Sequence, residues 1–324
     1  MPKVSVIIPV YGVEKYIERC ARSLFEQTLD DIEYLFIDDC TPDKSIEVLN
    51  RVLEEYPQRK NQVIIHRLEK NSGQAAVRKW GMLNATGDYT IHCDSDDWVD
   101  VTMYEKMYNK AIEEDADVVV CDFLQSDGNE YRVMVSSTKS VDVKSMLING
   151  LMHRYSSSLW NKMVRRTVYT ESEIIYPKYA MAEDLTLFSQ ILFNSKRVAY
   201  IPEPLYFYYY NNESISRKEG EDQIVKRFDE SIGNLSLIYE KFSNKNIDSQ
   251  IRIAFFYAIL VSKERLLPLL KESKYYKIWS MTYPEITQPL LLSKMVSLKS
   301  KLRIILVKMR LYPYFRELMD IVKG

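Results

Sequence analysis

Long apolar runs and a charge of one dominant sign are both missing from this chain of 324 residues. The longest strongly apolar run covers residues 253–261, whereas a helix needs about 20 apolar residues to cross a bilayer. The formal net charge is -1, so no strong overall field favours nucleic acid as a partner. The first predicted strand begins directly after Met1-Pro2-Lys3, which predicts a cytoplasmic protein without a signal peptide.

Cysteine, glycine and histidine are scarce, and each scarcity excludes a class of site. The four cysteines include no C-x-x-C pair, which predicts buried, reduced thiols. A single glycine, Gly12, follows the first predicted strand, where a dinucleotide-binding enzyme would need G-x-G-x-x-G and a nucleotidyltransferase would need a loop rich in glycine and basic residues. None of the three histidines lies beside a G-x-S-x-G sequence, which argues against a serine hydrolase.

What the chain does contain is a regular alternation of strands and helices in its first 125 residues. The predicted strands are continuous apolar runs, which indicates burial on both faces beneath covering helices. Helical periods fall between them, such as the recurrence of apolar residues at i, i+3, i+4 and i+7 from Ile17. We therefore predict an α/β fold with a doubly wound, mainly parallel sheet, whose ligand site lies beyond the carboxyl ends of the strands. The strands are predicted at residues 4–8, 34–37, 63–65, 89–93 and 118–121.

After about residue 125 this regularity is lost. Residues 200–210 are predicted to form a final strand pair, and the pattern is helical from about Asp222 almost to the end. We predict one domain over residues 1–220 and a helical C-terminal region over residues 221–324. Residues 290–324 carry eight basic and two acidic side chains among apolar ones, which predicts either an amphipathic element at a membrane surface or a helix packed on the first domain.

The acidic stretch Asp94-Ser95-Asp96-Asp97 follows the fourth predicted strand directly. Unpaired carboxylates at the end of a buried strand are costly, because they repel one another and lose hydration. Two interpretations are open from these residues. The turn holds Mg²⁺ or Mn²⁺ against a diphosphate, or one of its acids caps the following helix.

Other polar residues fall at the same predicted edge of the sheet. Pro9-Val10-Tyr11 follows the first strand, Asp38-Asp39 the second, and Asn71-Ser72-Gly73 the third. A carboxylate such as that of Asp39 could accept a hydrogen bond from a nucleobase N–H group. Glu183-Asp184, from the less regular half, adds a separate carboxylate. The sequence therefore predicts an acid-rich site without a nucleophile.

Taken together, these motifs resemble those of the family 2 inverting glycosyltransferases, which have the GT-A fold with a Rossmann-like nucleotide-binding half and a mixed acceptor half. The resemblance covers roughly the first 215 residues, in the order of that family. The matching sequences are VSVIIPVY at 4–11, YIERC at 16–20, IDDCTPD at 37–43, NSGQAAVR at 71–78, ATGDY at 85–89, DSDDW at 94–98 and ED at 183–184. One departure stands out, because Tyr209 and Asn211 occupy positions where many relatives carry arginine and histidine.

The resemblance implies a role for each matching position. Asp184 is implied as the catalytic base, and Asp96 and Asp97 as ligands of Mn²⁺ or Mg²⁺. The base pocket for uracil is implied at Pro9, Val10, Tyr11 and Asp39. The complete set implied for nucleotide-sugar binding is Pro9, Val10, Tyr11, Asp39, Asn71, Arg78, Asp94, Ser95 and Asp96. The implied acceptor side comprises Trp160, Asn161, Lys162 and Glu183.

The predicted function is transfer of a sugar from a UDP-sugar to a hydroxyl of a glycan or lipid-linked acceptor in surface polysaccharide synthesis. The alternative is a catalytically inactive subunit that binds a nucleotide-sugar and serves as a partner of another enzyme. The argument for the enzyme is the presence of all the implied acids, Asp94, Asp96, Asp97 and Asp184.

Overall fold

The computed structural model describes residues 1–126, 130–136, 142–210 and 220–323. The chain forms two compact units, residues 1–150 with 155–212 and residues 151–154 with 213–324. All the described strands lie in the first unit, and the described part of the second is helical. The assignment of residues 1–220 to one domain and 221–324 to a separate region stays a prediction.

The strands of the first unit are, in chain order, β1 (Val4–Val10), β2 (Ile32–Asp38), β3 (Val63–Arg67), β4 (Tyr89–His92), β5 (Trp98–Val99), β6 (Val118–Ser126), β7 (Tyr131–Met134), β8 (Lys162–Arg165) and β9 (Val198–Tyr209). In the described residues they form a single sheet in the order β3-β2-β1-β4-β8-β6-β9-β5, with β7 paired to β6. The first four strands in this order are parallel, and β8 is antiparallel to both of its neighbours. The mainly parallel sheet predicted for the first half of the chain is confirmed.

Helices cover this sheet and bury the apolar faces expected from their periodicity. They are α1 (Ile17–Phe25), α2 (Ser45–Glu54), α3 (Gln74–Asn84), α4 (Met103–Glu113), α5 (Val143–Leu151), α6 (Thr167–Thr170) and α7 (Glu183–Asn194), with a 3-10 helix at Pro57–Gln62. In α1 the buried residues include Ile17, Cys20, Ala21 and Leu24, the positions predicted from the helical period. They pack into one core with the side chains of β1 and β2.

The second unit is a set of helices with an aromatic core that includes Phe242 and Phe255, whose ring centres lie 5.4 Å apart. No helix in the described ranges combines the length and hydropathy that crossing a bilayer would require. The helices are α8 (Glu221–Leu237), α9 (Tyr239–Ser243), α10 (Ser249–Glu264), α11 (Ser273–Met281), α12 (Thr287–Leu292), α13 (Leu298–Lys308) and α14 (Tyr312–Lys323), with 3-10 helices at Leu267–Leu269 and Pro284–Ile286.

The register of the parallel strands brings their carboxyl ends to one edge. Val10 pairs with Asp38, and Asp38 pairs with Arg67, so β1, β2 and β3 end side by side. The β4 strand continues this alignment, because the backbone N–H of Cys93 bonds to the carbonyl of Ile7 at 3.0 Å. The polar residues that follow each strand therefore meet at this edge, as predicted.

The second half of the sheet differs from the prediction in two ways. The apolar run at 118–121 begins β6, which does not pair with β4 because the antiparallel strand β8 lies between them. The predicted strand pair at 200–210 is wrong, since residues 200–209 belong to the single strand β9. Their irregular appearance comes from a bulge, because Cys121 pairs with Ile201 but Asp122 pairs with Pro204. Pro202 lacks the N–H group that a regular ladder would use, and it lies in that bulge.

Candidate active site

Asp97 connects the acidic turn between β4 and β5 to the strand β9 through hydrogen bonds. Its Oδ2 atom accepts a hydrogen bond of 2.6 Å from the Tyr206 hydroxyl, and its Oδ1 atom accepts one of 2.7 Å from the backbone N–H of Tyr209. The Tyr206 hydroxyl accepts in turn from the backbone N–H of Asp94 at 3.1 Å. Asp97 is fully buried, and burial, followed by the charges of Asp96 and Asp94, raises the pKa of its carboxyl well above the usual range. Both of its carboxylate oxygens thus have partners within the protein.

Asp94 and Asp96 are the less buried acids of this turn, while Ser95 between them is buried. Burial, and after it the charge of Asp94, raises the pKa of Asp96 to about 6. Asp94 accepts a hydrogen bond of 3.3 Å from Nε2 of Gln74, a residue that the sequence analysis did not select. Over the ranges that the structure describes, no group of three or more His, Cys, Asp or Glu side chains is arranged to hold a metal ion.

Arg78, on α3, is the centre of the charge network. Its guanidinium lies 2.8 Å from Oδ1 of Asp94 and 3.3 Å from Oε1 of Glu183, and it also bonds directly to Oδ1 of Asp184. Arg78 is buried, and burial by itself would lower its pKa, but the charges of Asp184 and Glu183 outweigh that effect and raise it well above the usual range. The predicted contact of Arg78 with the nucleotide stays a prediction. What the structure gives it is the role of joining three carboxylates.

The two acids at the start of α7 differ in their exposure. Glu183 is 3% exposed, whereas the side chain of Asp184 is 32% exposed and can be reached from solvent. Burial raises the pKa of both carboxyl groups, against the opposing charge of Arg78, and that of Glu183 reaches about 7. Ala182, which precedes the helix, has the left-handed φ of +59°. Of the two acids, Asp184 is the one whose carboxylate can meet a substrate.

Three residues predicted for the acceptor side lie in the core. The Trp160 ring stacks on Tyr206 with ring centres 4.2 Å apart, and Asn161 donates to the Cys121 carbonyl at 2.6 Å. Lys162 is buried, and its Nζ atom donates to the Ser158 carbonyl at 2.6 Å and to Oδ1 of Asn161 at 2.7 Å. The side chains of all three are buried, and their implied place on the acceptor side stays a prediction. A stacked indole buries a large apolar area, which explains its place inside the sheet.

Lys162 is nevertheless part of the electrostatic surroundings of the candidate base. Burial lowers the pKa of Lys162 to about 7, and the charge of Asp184 opposes that shift. The influence is mutual, because the charge of Lys162 counteracts the rise in the pKa of Asp184. Burial disfavours the charged form of a lysine and a nearby carboxylate favours it, so the protonation of Lys162 and that of Asp184 depend on each other.

The residues predicted for the nucleobase pocket surround the ends of β1 and β2. Both carboxylate oxygens of Asp39 accept backbone N–H groups, from Ser72 at 2.7 Å and from Gly73 at 2.9 Å. Asp39 therefore holds the loop that contains Asn71 against the sheet edge. Its backbone N–H donates to the Val10 carbonyl at 3.0 Å.

The side chains of residues 9–11, at the end of β1 and just after it, differ in their exposure. The Val10 side chain belongs to the core, so this residue can contact a ligand only through its backbone. Pro9 is partly buried, and Tyr11 is 47% exposed. Of the three, Tyr11 offers the largest open side chain at this edge.

Arg19, on α1, is a cation at the acidic turn that the sequence analysis missed. Its guanidinium donates to the Asp96 carbonyl at 2.8 Å and lies 3.7 Å from the centre of the Trp98 ring and 5.1 Å from that of Tyr209. The helical period of α1 marks only the apolar face and leaves Arg19 opposite it. Tyr209 is one of the two positions that depart from the family pattern, and the other, Asn211, lies outside the described residues.

Residues 5–183, more than half of the chain, match the family model described as Glycosyl transferase family 2. The chain belongs to this family. It is 30% identical over 224 residues to "Uncharacterized glycosyltransferase EpsJ" of Bacillus subtilis (strain 168), a match that covers 67% of this chain and 63% of that relative. The chain thus matches less than two thirds of the length of this relative. The family predicted from the motifs is confirmed.

Two solved structures show the same fold. TarS of S. aureus in complex with UDP-GlcNAc gives a TM-score of 0.75 at 18% identity, and the match covers 99% of this chain and 91% of the TarS chain. Mannosyltransferase PcManGT from Pyrobaculum calidifontis, in complex with GDP-Man and Mn²⁺, gives a TM-score of 0.56 at 13% identity, and the match covers 96% of this chain and 87% of the PcManGT chain. Identities this low establish the architecture alone, and the predicted GT-A fold with C-terminal helices is confirmed.

Proposed function

We propose that this protein transfers a sugar from a UDP-sugar to a hydroxyl group of a glycan or lipid-linked acceptor in surface polysaccharide synthesis, with inversion at the anomeric carbon. One observation carries the proposal. The buried guanidinium of Arg78 bonds to Asp94 in the acidic turn and to Asp184 on α7. A carboxylate that can accept a proton is therefore held beside the turn expected to bind the donor.

UDP is the expected nucleotide. The TarS structure, which matches 99% of this chain, holds UDP-GlcNAc, whereas the more distant PcManGT structure holds GDP-Man. The open Tyr11 side chain and the loop that Asp39 orders lie at the carboxyl edge of the sheet, where nucleotides bind in doubly wound folds. Asn71 lies in that loop and is exposed.

The chemistry follows from the nature of the leaving group. Asp184 takes the proton of the acceptor hydroxyl while that oxygen forms a bond to the anomeric carbon. The bond from the anomeric carbon to the diphosphate oxygen breaks, and its electron pair leaves with the nucleoside diphosphate. This departing group is already a stable anion, so a second carboxyl is not needed as a general acid, unlike in glycoside hydrolysis. Attack and departure take place on opposite faces of the sugar, which inverts its configuration.

A base works best when its pKa is close to the working pH. The pKa of the Asp184 carboxyl is raised by burial, while Arg78 and Lys162 hold the charged form in place. This balance suits a group that must be ionised before the reaction and must accept a proton during it. Glu183 is less suitable, because it is buried beneath Arg78.

The acidic turn fits a divalent cation through Asp96, together with Asp94. Carboxylate oxygens are the ligands that Mg²⁺ and Mn²⁺ prefer, and both ions commonly share their coordination with substrate phosphates. When bound, such a cation neutralises the charge that the diphosphate gains as it leaves. Asp97 is the poorer ligand of the two predicted, because both of its oxygens are engaged by β9.

The alternative is a subunit that binds a nucleotide-sugar without turning it over. Such a protein has no need of an accessible base, yet the side chain of Asp184, bonded to Arg78, remains 32% exposed. The acidic turn and the candidate base are both present and are joined by Arg78. These contacts favour an enzyme.

We further propose that α13 and α14 rest on an anionic membrane surface. Leu298 and Tyr314 are 84% and 69% exposed, and further large apolar side chains on these helices are exposed as well. Basic residues alternate with them along the chain, so the surface has the charge and the apolar area that anionic lipid attracts. A lipid-linked acceptor would lie in the same plane as an enzyme held there.

The donor assignment is tested by thermal stabilisation with a set of nucleotide-sugars in the presence of Mn²⁺, followed by assay of UDP release. Ligands that bind only the folded state raise its stability by mass action, by about 2.7 kcal/mol at a hundredfold excess over Kd. We expect UDP-sugars to stabilise the protein and GDP-mannose to have little effect. Stabilisation by GDP-mannose alone would contradict the UDP assignment, and binding without UDP release from any acceptor extract would favour the inactive subunit.

A further inference from the structure

Helix α1 and the residues directly after it lie beside the segment that follows the acidic turn. The hydroxyl of Ser23 accepts a hydrogen bond of 3.3 Å from the backbone N–H of Val99, and Nε2 of Gln27 donates to the Asp100 carbonyl at 2.7 Å. These bonds are made to backbone atoms, so they hold the course of the chain rather than a single side chain. The helix is therefore a fixed support for the turn.

Arg19 makes the contact of α1 that lies nearest to the expected metal ligand. Its Nη2 atom donates to the backbone carbonyl of Asp96 at 2.8 Å. Hydrogen bonds from a charged donor are stronger than neutral ones, so this contact restrains the peptide unit well. Because the acceptor is the carbonyl, the bond does not occupy the carboxylate oxygens of Asp96, which a cation would need.

Aromatic rings restrict the orientation of the Arg19 guanidinium. Its central carbon lies 3.7 Å from the centre of the Trp98 ring and 5.1 Å from that of Tyr209. Trp98 and Phe207 are directly opposite each other in the β5–β9 ladder, and their rings are stacked with centres 5.2 Å apart. A guanidinium that lies flat on an aromatic face donates its hydrogen bonds in the plane of that face. The rings thus direct Arg19 toward the turn.

The charge of Arg19 by itself would not favour a metal at this turn. Arginine stays protonated in proteins, and like charges repel, so the guanidinium opposes a divalent cation bound to Asp96. Any gain in metal affinity from Arg19 must therefore come from the geometry that it imposes on the turn. Lysine has the same charge but lacks the planar fork of hydrogen-bond donors. The exchange of Arg19 for lysine therefore separates geometry from charge.

We propose that Arg19 is a positioning residue for the divalent metal, because it fixes the peptide unit of Asp96 and thereby the direction of its carboxylate. This inference rests on the proposed function, in which Asp96 holds Mn²⁺ or Mg²⁺. Arg19 acts through Asp96, and Trp98 supports it by holding the guanidinium plane. Loss of a group that orients a metal ligand typically lowers metal affinity about 10–100-fold.

The first test is calorimetric titration of the full-length protein with Mn²⁺. We expect Arg19→Lys and Trp98→Leu each to raise the Kd for Mn²⁺ at least about tenfold, and either variant suffices if the other does not fold. The double variant should raise it little further, because both changes remove the same contact. Arg22→Lys is the matched control, since Arg22 lies on the same helix and bonds to Glu18 and Glu55 instead of the turn. Its Kd should equal that of the wild type.

The second test is hydrogen–deuterium exchange in EDTA, which needs no metal. The backbone N–H of Asp97 bonds to the Asp94 carbonyl at 3.1 Å and so reports on the closure of the turn. We expect Arg19→Lys to speed exchange in the peptide of residues 94–98 and to leave exchange in β1 as in the wild type. Arg22→Lys should change neither. Faster exchange throughout the first unit would indicate general destabilisation and would overturn the proposal.

Asp96→Asn distinguishes failure of this inference from failure of the proposed metal site. If Asp96→Asn weakens Mn²⁺ binding but Arg19→Lys and Trp98→Leu do not, the metal site stands and the role of Arg19 is overturned. Faster exchange of the turn without a change in the Kd for Mn²⁺ also overturns it, since Arg19 would then support the fold alone. If the wild type binds no Mn²⁺, or if Asp96→Asn binds it equally well, both the metal site and this inference fall.

Discussion

The guanidinium of Arg78 bonds directly to the carboxylate of Asp184, although the two residues lie 106 positions apart in the chain. The same guanidinium reaches Asp94 and Glu183. One buried cation thus offsets three carboxylates that would otherwise repel one another at the edge of the sheet. Arg78 thus joins the acidic turn to the candidate base.

Replacement of Arg78 should therefore destabilise the protein strongly. Removing one partner of a buried ion pair leaves uncompensated buried charge and typically costs about 3–5 kcal/mol. We expect Arg78→Gln to lower the free energy of unfolding by about that amount, measured by urea denaturation at neutral pH. The loss should become smaller at acidic pH, because protonation of the carboxyl groups removes their repulsion.

The matched control is Arg51→Gln, which removes an exposed partner of Glu18 at 2.8 Å. Exposed ion pairs contribute at most about 1 kcal/mol, so this variant should be nearly as stable as the wild type. Equal stability of Arg78→Gln and Arg51→Gln would show that Arg78 does not hold the network together.

Asp184→Asn should lower kcat by about a hundredfold or more while the Kd for the donor stays nearly unchanged, because a general base acts mainly in the transition state. In the wild type, kcat should fall as the pH falls through the raised pKa of this carboxyl, since the protonated form cannot accept the acceptor proton. Steady-state rates and donor titrations over a range of pH check both points. The comparison variant is Glu183→Gln, and a larger loss of kcat there than in Asp184→Asn would transfer the role of base to Glu183.

The sequence was sufficient for the features that depend on local pattern. Continuous apolar strands predict burial on both faces, and the aligned ends of β1, β2 and β4 follow from the parallel arrangement. The acidic turn at Asp94 was predicted because it follows directly on an apolar strand, whereas the role of Asp184 was implied by the resemblance to the family 2 glycosyltransferases.

The features that the sequence did not predict depend on contacts between distant segments. The place of β8 between β4 and β6 is determined by strand pairing, which the hydrophobic periodicity of these segments does not indicate. Trp160 lies in the core because its ring stacks on Tyr206, 46 positions further on. Arg19 reaches the acidic turn only because α1 packs beside β5. Each of these needs the assembled sheet.

Asp96→Asn should abolish turnover and weaken UDP binding in the presence of Mn²⁺, because it removes the carboxylate best placed to hold the metal. In the wild type the affinity for Mn²⁺ should fall as the pH drops below about 6, where a proton competes for this group. Calorimetric titration of Mn²⁺ and UDP at several pH values checks this. Asp97→Asn is the control, and it should chiefly lower the melting temperature, since Asp97 bonds to β9. Full activity in EDTA would contradict the metal assignment.

Leu298→Asp and Tyr314→Asp should weaken co-sedimentation with anionic vesicles, because each places a negative charge on the exposed face of α13 or α14. Raising the salt concentration should weaken binding of the wild type as well, since each basic residue near the surface contributes about 1 kcal/mol of electrostatic attraction. Ile112→Asp changes a side chain that is 55% exposed on α4 and should have no effect. Equal binding by all four proteins would mean that these helices do not meet the membrane.

Lys162→Met should change how stability depends on pH between about 7 and 10.5. In the folded protein burial lowers the pKa of Lys162 to about 7 from its ordinary 10.5, so within this window the unfolded chain binds more protons than the folded one. The free energy of unfolding should therefore rise with pH in this window. The stability gained in this way should be lost again as the pH falls from about 10.5 to about 7, the pKa of Lys162 in the folded protein. Urea denaturation at several pH values should show this rise in the wild type and in Lys60→Met, an exposed control, but a flatter profile in Lys162→Met. Parallel profiles for all three proteins would show that Lys162 keeps its ordinary pKa inside the fold.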